Sequence, residues 1–268
     1  MAPDRTPARS SPSLSGTDSD PASLDSANPG PANLGPADLD PETIARRKSA
    51  AARAAAELVV DGMALGLGTG STVAFLLAAL GERADRLRQT RCVATSPATA
   101  ELARSLGLRV DELDEVGELD LAIDGADQVD PDCWLIKGGG GAHTREKIVA
   151  CAARRFVVIV SVEKLVSRLT PPVPLEVLRF GAGRTLAELR HARLRDVGAS
   201  PDGNLLAWYD DPFEDARLLA ARLGQTPGVV EHGLFAPELV SEVLIAGGAP
   251  PQDGGVGVTR RAGGRPAG

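Results

Sequence analysis

The stretch from residue 123 to residue 147 reads IDGADQVDPDCWLIKGGGGAHTREK, and the prediction of the fold starts from it. It directly follows an apolar segment, residues 119–123, that has the pattern of a buried strand. Four consecutive glycines cost backbone entropy and add nothing to a core, so they are useful mainly where backbone must approach a small polar group. Ligands of open α/β sheets bind beyond the carboxyl ends of the strands. The stretch therefore predicts a polar ligand site at such an edge.

A second glycine-rich turn precedes this stretch and reads GLGTGST over residues 66–72. It lies between a predicted strand (63–67) and a predicted helix (73–80). Its spacing matches neither the dinucleotide motif G-x-G-x-x-G nor a phosphate-binding G-K-[ST]. One interpretation is a tight turn that needs glycine for steric reasons. The interleaved hydroxyls at a helix N-terminus favour the other, a site for phosphate or another small anion.

Predicted strands and helices alternate along the chain. After a first helix at 41–60, strands are predicted at 63–67, 91–95, 108–110, 119–123 and 156–160, with helices at 73–80, 97–106 and 144–154. This alternation is typical of a parallel, doubly wound sheet. Beyond the prolines at 171–174 the order becomes β-α-β-β-α-β, that of a split βαβ unit. A last apolar strand, 240–246, is expected to return to the first sheet.

The predicted fold class is therefore α/β: a Rossmann-like doubly wound sheet with an inserted small α+β domain of ferredoxin-like type. The α/β domain comprises residues 41–171 and 236–247, and the small domain comprises residues 172–235. Residues 1–40 and 248–268 are rich in proline, glycine and small polar residues. Such composition cannot bury enough apolar surface, so both ends are predicted to be disordered tails.

Composition argues against several function classes. The net charge of −7 argues against a general nucleic-acid binder. No apolar run approaches the ~20 residues of a membrane span, and the N-terminus lacks the apolar region of a secretory signal. The three cysteines have no metal-like spacing and leave one unpaired in any scheme, which indicates free thiols in a reducing cytosol. We expect a cytoplasmic protein with no nucleic-acid or membrane partner.

Four motifs, in this order and spacing, resemble those of type A ribose-5-phosphate isomerases: GLGTGST (66–72), DGAD (124–127), KGGG (137–140) and TREK (144–147). The resemblance extends from about Thr43 to Gly247. It implies an aldose–ketose isomerase of the pentose phosphate pathway that needs neither cofactor nor metal. The expected reaction interconverts D-ribose 5-phosphate and D-ribulose 5-phosphate. The expected assembly is a homodimer or homotetramer.

The resemblance also implies a role for individual residues. Glu146 would be the general base, with Asp124 and Lys137 as the other catalytic residues. Lys137 would face the enediolate oxygen, while the DGAD acids would bind sugar hydroxyls and assist ring opening. The phosphate would be held by the 69–72 loop and Lys164. The implied substrate-binding set is Lys48, Thr69, Gly70, Ser71, Thr72, Asp124, Gly125, Ala126, Asp127, Lys137, Gly138, Gly139, Gly140 and Lys164.

These side chains also have plain structural interpretations. Glu146 is equally an ordinary first-turn helix residue, Lys137 a neutralising charge, and Lys48 part of a solvated helix face. The two acids of DGAD are equally an N-cap and a solvated acid, or ligands of a divalent cation. His143 borders the glycine run and fits no role in the family, so we expect it on a loop surface. Thr144 is expected to cap the helix whose dipole keeps the base ionised.

Two other function classes share parts of this pattern. A sugar-phosphate sensor without enzyme activity would use a similar fold, but the acid–base set is complete here and the first 40 residues cannot form a helix-turn-helix. A nucleotide-dependent enzyme would need an acidic ribose-binding residue about 20 residues past the glycines. That region reads Gln89-Thr90-Arg91. One departure from the family is Trp208, where relatives commonly carry Asp.

Overall fold

The computed structural model describes residues 40–248 and 255–265. Its seven α-helices within these ranges are α1 (Pro41–Ala56), α2 (Ser71–Gly81), α3 (Pro97–Ser105), α4 (Leu113–Val116), α5 (His143–Ala152), α6 (Ala182–Leu189) and α7 (Ala216–Gly224). The strands are β1 (Ala64–Leu67), β2 (Arg91–Ala94), β3 (Leu119–Asp124), β4 (Gln128–Val129), β5 (Leu135–Ile136), β6 (Ala153–Ser161), β7 (Val173–Val177), β8 (Ala192–Leu194), β9 (Leu205–Tyr209), β10 (Val229–His232), β11 (Leu234–Phe235), β12 (Glu242–Gly248) and β13 (Gly257–Ala262). No helix in these ranges has both the length and the apolar character to cross a membrane.

The central sheet has six strands in the order β13-β12-β6-β3-β1-β2. Strands β12, β6, β3, β1 and β2 are parallel, and β13 pairs antiparallel with β12. The chain returns from β2 to the opposite side of β1 to form β3. The topological switch point therefore lies between β1 and β3. The predicted α/β class and the return of β12 to this sheet are confirmed.

Side chains of the central strands point alternately to the two faces of the sheet, and an apolar layer lies on each face. Val157 and Ile159 of β6 pack in the layer that contains α1 and α2. Phe156, Val158 and Val160 pack in the opposite layer, together with residues of α5. Since successive side chains of a strand point to opposite faces, one continuous apolar run covers both layers. Helices on both faces make the sheet doubly wound.

The four-stranded sheet has the order β10-β7-β9-β8, and its strands pair antiparallel. Its apolar side chains form a core with residues of α6 and α7. This is the strand order of the predicted split βαβ unit. The division of the chain into domains at residues 171 and 236 stays a prediction. A third small sheet, β11-β5-β4, was not predicted, because strands of two residues are too short to show alternation.

Some predicted boundaries are wrong. The first helix ends at Ala56 rather than residue 60, because the chain turns there before Gly62 takes a positive φ of 88°. Residues 108–110 form only a single parallel bridge, between Val110 and Cys92, rather than a strand. The predicted N-terminal tail lies outside the described residues except for Asp40. Asp40 accepts a hydrogen bond from the Thr43 backbone N–H and begins α1.

The prediction of a disordered C-terminal tail from residue 248 is wrong for residues 257–262. These form β13, which pairs with β12 from Glu242 to Gly248. Val256 and Val258 pack against the apolar layer that contains α1. Arg261 donates to the backbone carbonyl of Asp130. Because glycine and arginine are frequent in this segment, its sequence does not show the alternation of apolar and polar residues that predicts a strand. Its backbone nevertheless completes one edge of the central sheet.

Candidate active site

The site lies at the switch point of the central sheet, where crevices of open α/β sheets bind their ligands. The loop after β1 and the end of β3 meet there, and Gly68 N–H donates to Ile123 O at 3.0 Å. Asp124 ends β3 and is buried. Its Oδ1 accepts from the backbone N–H of Thr69 (3.2 Å) and of Gly125 (2.7 Å). The two motifs that the sequence singled out are thus hydrogen-bonded to each other.

Gly68 is required by this arrangement. A Cβ at this position would lie 2.0 Å from the Asp124 carboxylate. Gly66 has a similar constraint, because its Cβ would lie 2.5 Å from Val149 of α5. The glycines of the first motif therefore let the carboxylate and α5 approach the backbone of β1.

Lys137 joins the two carboxylates predicted to be catalytic. Its Nζ lies 2.9 Å from Asp124 Oδ2 and 3.0 Å from Glu146 Oε2, and it donates to Gly125 O at 2.5 Å. All three side chains are at most 4% exposed. The Lys137 backbone N–H donates to Gly233 O at 2.8 Å, which fixes the start of the glycine loop, residues 138–141. The structure thus brings together the three residues predicted to be catalytic.

Burial shapes the electrostatics of this group. Burial raises the pKa of Asp124, against the attraction of Lys137. Burial, with the charge of Asp124, raises the pKa of Glu146 to about 8. Burial opposes the charge on Lys137, but the two carboxylates outweigh it and raise the pKa of the ammonium. The expectation that the helix dipole holds Glu146 ionised is wrong, because the cost of burial is larger.

The Lys137 ammonium is shared by one oxygen of each carboxylate. Asp124 Oδ2 and Glu146 Oε2 are buried, and each forms an ion pair with this ammonium. Two buried carboxylates therefore share one buried cation, whose charge offsets that of only one of them when both are ionised.

The helix that carries Glu146 is held differently from the prediction. Helix α5 begins at His143 without a side-chain cap, and Thr144 does not cap it. Instead, Thr144 Oγ1 donates to Glu176 Oε2 at 2.6 Å. The other oxygen of Glu176 accepts from Ser200 Oγ at 2.6 Å. The buried Glu176 carboxylate thus ties the first turn of α5 to the four-stranded sheet.

The surface position expected for His143 is wrong, because the side chain is fully buried. It packs beneath Gly138, where a Cβ would lie 2.6 Å from its Nδ1. Its Nε2 lies 3.4 Å from Glu231 O. Burial lowers the pKa of His143 to about 3, so the ring is neutral at pH 7. It contacts the underside of the glycine loop rather than the carboxylates.

The 69–72 loop presents backbone and hydroxyls at the same edge. Gly70 precedes α2 with φ of 124°, and both it and Ser71 are exposed. Lys48 of α1 donates to Ser71 Oγ at 2.8 Å, so this candidate does reach the loop. The Thr69 hydroxyl is instead 2.7 Å from the Thr95 hydroxyl. The backbone N–H groups in the first turn of α2 are therefore the main hydrogen-bond donors that the loop offers to an anion.

Lys164 lies in a short 3₁₀ helix at the carboxyl end of β6, and it is half-buried. It is on the same edge of the sheet as Asp124, but outside the group around Lys137. The preceding residue, Glu163, pairs with Arg47 of α1. That ion pair links the segment before Lys164 to the helix that carries Lys48.

The glycine loop opposes the DGAD turn. Asp127 is exposed, and its Oδ2 accepts from Gly139 N–H at 2.9 Å. Arg195, which no sequence motif indicates, donates to Gly138 O (3.1 Å) and Gly139 O (2.5 Å). Arg195 follows β8, more than 50 residues later in the chain, and the surrounding charges gave no signal that it reaches this loop. Gly125 and Ala126 are half-buried between the two acids.

The site thus has a buried floor and an exposed rim. The floor holds a cation and two carboxylates, and the rim holds Ser71, Asp127 and Gly140. Within residues 40–248 and 255–265, no group of three or more His, Cys, Asp or Glu side chains is arranged to hold a metal ion. Such a site can bind a small polyhydroxy anion and move a proton within it.

Known proteins are similar to this chain in sequence and in fold. The family described as ribose 5-phosphate isomerase A (phosphoriboisomerase A) matches residues 91–249. A ribose-5-phosphate isomerase A of Ruegeria pomeroyi is 46% identical over 224 residues, which cover 76% of this chain and 85% of that protein.

Solved structures agree with this likeness. The ribose 5-phosphate isomerase A of Methanocaldococcus jannaschii has a TM-score of 0.72 and 34% identity, with 83% of this chain and all of that chain covered. A D-ribose-5-phosphate isomerase in complex with phospho-erythronic acid gives the same TM-score, identity and coverage.

Proposed function

The chain belongs to the ribose 5-phosphate isomerase A family, and from this premise we propose that it interconverts D-ribose 5-phosphate and D-ribulose 5-phosphate with Glu146 as the general base. The observation that carries the proposal is the contact of Lys137 with the buried carboxylates of Asp124 and Glu146. A base and a cation 3.0 Å apart fit a reaction that moves a proton and creates an oxyanion.

In the forward direction, Glu146 takes the proton from C2 of the open-chain aldose. The electron pair of the C–H bond forms a C1–C2 double bond, and the carbonyl oxygen on C1 becomes an oxyanion. Lys137 stabilises that charge from a fixed position, as a preorganised donor does. The hydroxyl proton on O2 moves to O1 as the C2 carbonyl forms. Glu146 returns its proton to C1, which gives the ketose.

Asp124 and Asp127 would bind the sugar hydroxyls and assist opening of the furanose ring. Asp124 is held by two backbone N–H groups and by the Lys137 ammonium. Asp127 is exposed at the rim and held by Gly139 N–H. A buried acid and an exposed acid, three residues apart, are placed to contact different hydroxyls of one small sugar.

The phosphate would bind at the first turn of α2. The N–H groups there have no partner within the helix, and the helix dipole favours an anion. Lys48 already contacts Ser71 and would add a positive charge. Lys164 would approach from the end of β6. The substrate would then extend from the exposed loop at its phosphate end to the buried floor at its carbonyl end.

We further propose a cytoplasmic homodimer or homotetramer with no nucleic-acid or membrane partner. A charged phosphate ester does not cross a bilayer unaided, which supports action where sugar phosphates are retained. Two apolar side chains after β7 support self-association: Phe180 is 88% exposed and Leu178 is 45% exposed. Light scattering of the purified chain measures the assembly directly.

The decisive experiment is a coupled assay of the full chain on ribose 5-phosphate, with chelator and without added cofactor. We expect turnover that is abolished in Glu146→Gln and retained in Arg193→Ala, an exposed control whose side chain pairs with Asp210. Binding of ribose 5-phosphate without turnover would instead support the sensor. A strict requirement for a divalent cation would contradict the mechanism as written.

A further inference from the structure

The glycine loop, residues 138–141, needs contacts that restrict its backbone to one conformation. Four consecutive glycines have more conformational freedom than any other sequence of that length. Gly138 and Gly141 adopt positive φ angles of 104° and 80°. Added Cβ atoms there would collide with His143 and Leu206, respectively. These neighbours explain why side chains are excluded. The Gly141 N–H also donates to Gly138 O at 3.0 Å and closes the loop as a turn, a contact that leaves the carbonyl of Gly139 to other partners.

Arg195 adds a constraint from outside the loop. One arm of its guanidinium donates to Gly138 O at 3.1 Å, and the other donates to Gly139 O at 2.5 Å. Two successive carbonyls are thereby held by one planar group. The fork of arginine has fixed geometry, so two bonds from it set an orientation that a lysine ammonium cannot.

The guanidinium is itself held in place by its neighbours. Its Cζ lies 4.3 Å from the centre of the Trp208 ring. The Arg195 backbone N–H donates to Leu206 O at 2.9 Å, which fixes the start of the side chain. Stacking on an indole restrains a guanidinium without neutralising it. Both neighbours belong to β9, so the four-stranded sheet presents Arg195 to the loop.

The effect on the site passes through the peptide between Gly138 and Gly139. Its carbonyl points to Arg195, so its N–H, on Gly139, points the opposite way. That N–H donates to Asp127 Oδ2 at 2.9 Å. The orientation of one peptide plane thus connects Arg195 to a rim carboxylate.

We propose that Arg195, restrained by Trp208, is a positioning residue that preorganises the glycine loop and the Asp127 carboxylate for the sugar. The role in catalysis rests on the proposed function. The ordering of the loop does not, because it follows from the hydrogen bonds alone.

The test compares three variants: Arg195→Ala, Arg195→Lys and the matched control Arg193→Ala. Arg193 lies two residues away, is half-exposed and pairs with Asp210. Hydrogen exchange of residues 138–141 reports loop order without any need for activity. We expect faster exchange in both Arg195 variants, with the Arg193 variant like the parent. Equal protection in all four proteins would overturn the proposal.

Kinetics separate positioning from general stability. Misplacement of about 1 Å can cost on the order of 10²-fold in rate, so Arg195→Ala should lose about 10- to 100-fold in kcat/KM. Guanidinium ion at millimolar concentration should restore part of the lost activity of Arg195→Ala. Inhibition by inorganic phosphate should be unchanged, because the phosphate loop is elsewhere.

Trp208→Leu gives a second measurement that leaves the hydrogen-bonding residue in place. It should loosen the loop less than Arg195→Ala does. Loss of activity without faster loop exchange, or without rescue by guanidinium, would assign Arg195 another role and overturn the proposal. If the parent itself did not turn over ribose 5-phosphate, the proposed function would fail, and hydrogen exchange would still decide the role of Arg195.

Discussion

Lys137 Nζ lies 3.0 Å from Glu146 Oε2, and the same ammonium lies 2.9 Å from Asp124. One cation therefore faces two carboxylates in a buried site. Full ionisation leaves an excess negative charge there, and burial makes that charge costly. The pKa of Glu146 rises to about 8 as a result. A base whose pKa lies near the working pH can both accept a proton and return it, which isomerisation requires.

Glu146→Gln should abolish turnover while it retains substrate binding. The substitution keeps the size of the side chain but removes the acceptor for the C2 proton. Loss of a general base costs ~10²–10⁴-fold, and loss of the sole proton carrier should reach the upper end of that range. The measurements are kcat in the coupled assay and affinity by calorimetry. Normal turnover by this variant would assign the base elsewhere.

The raised pKa of Glu146 also predicts opposite pH trends for activity and stability. The base must be ionised, so kcat/KM of the parent should increase as pH rises through about 8. The folded-state pKa lies above the ordinary 4.5, so its stabilising contribution is full below pH 4.5 and is lost as pH rises to about 8. Glu146→Gln lacks this loss. The melting temperature of Glu146→Gln, relative to that of the parent, should therefore rise between pH 5 and pH 8. A difference between the two melting temperatures that stays constant over this range would contradict the raised pKa of Glu146.

Phosphate affinity should depend on the loop before α2 and on the lysines near it. Ser71→Ala, Lys48→Ala and Lys164→Ala should each raise KM more than they lower kcat, because they remove ground-state binding. Lys48 contacts Ser71 directly, so the effects of these two substitutions should not be additive. The control is Arg46→Ala, two residues before Lys48 and exposed on α1. Unchanged KM in all three variants would place the phosphate elsewhere.

Part of the site followed from the sequence because two of its motifs lie at the carboxyl ends of parallel strands. Gly68 follows β1 and Asp124 ends β3, and these strands are neighbours in the sheet, so their ends lie together. Arg195 could not be found in this way, since its contact depends on how the four-stranded sheet packs against the glycine loop. The burial of His143 was missed for a related reason. Its ring fills the space left by the absent Cβ of Gly138, a contact that alternation does not encode.

Removal of residues 255–268 should destabilise the protein. Strand β13 pairs with β12 from Glu242 to Gly248, and Arg261 and Arg265 donate to carbonyls of other segments. At ~1 kcal/mol for each lost hydrogen bond, the loss should be several kcal/mol. At ~2–4 °C per kcal/mol, the melting temperature should fall by about 10 °C. Removal of residues 1–38 is the control, since its composition predicts no packed face and Asp40 still caps α1. An unchanged melting temperature on removal of β13 would show that the strand adds nothing to the sheet.

His143→Gln should change the pH dependence of stability far more than it changes catalysis. Burial lowers the folded-state pKa of His143 to about 3 from the ordinary 6.5. Between these values the unfolded chain binds a proton that the folded chain does not, so stability falls as pH drops below 6.5. The contribution of His143 amounts to ~1.4 kcal/mol per pH unit, and His143→Gln should lack it. The contribution of His232, whose pKa burial lowers to about 4, should remain in that variant. Denaturant unfolding at pH 4.5, 5.5 and 6.5 measures the slope, and exposed His191→Gln is the matched control.

Since the His143 ring touches Glu231 O and the backbone of Gly138 rather than the carboxylates of Asp124 and Glu146, kcat of His143→Gln should fall less than about tenfold, against the ~10⁴-fold of Glu146→Gln. A stability slope like that of the parent would mean that His143 is not held in its neutral form by burial. A loss of kcat equal to that of Glu146→Gln would mean that the imidazole takes part in the proton transfer.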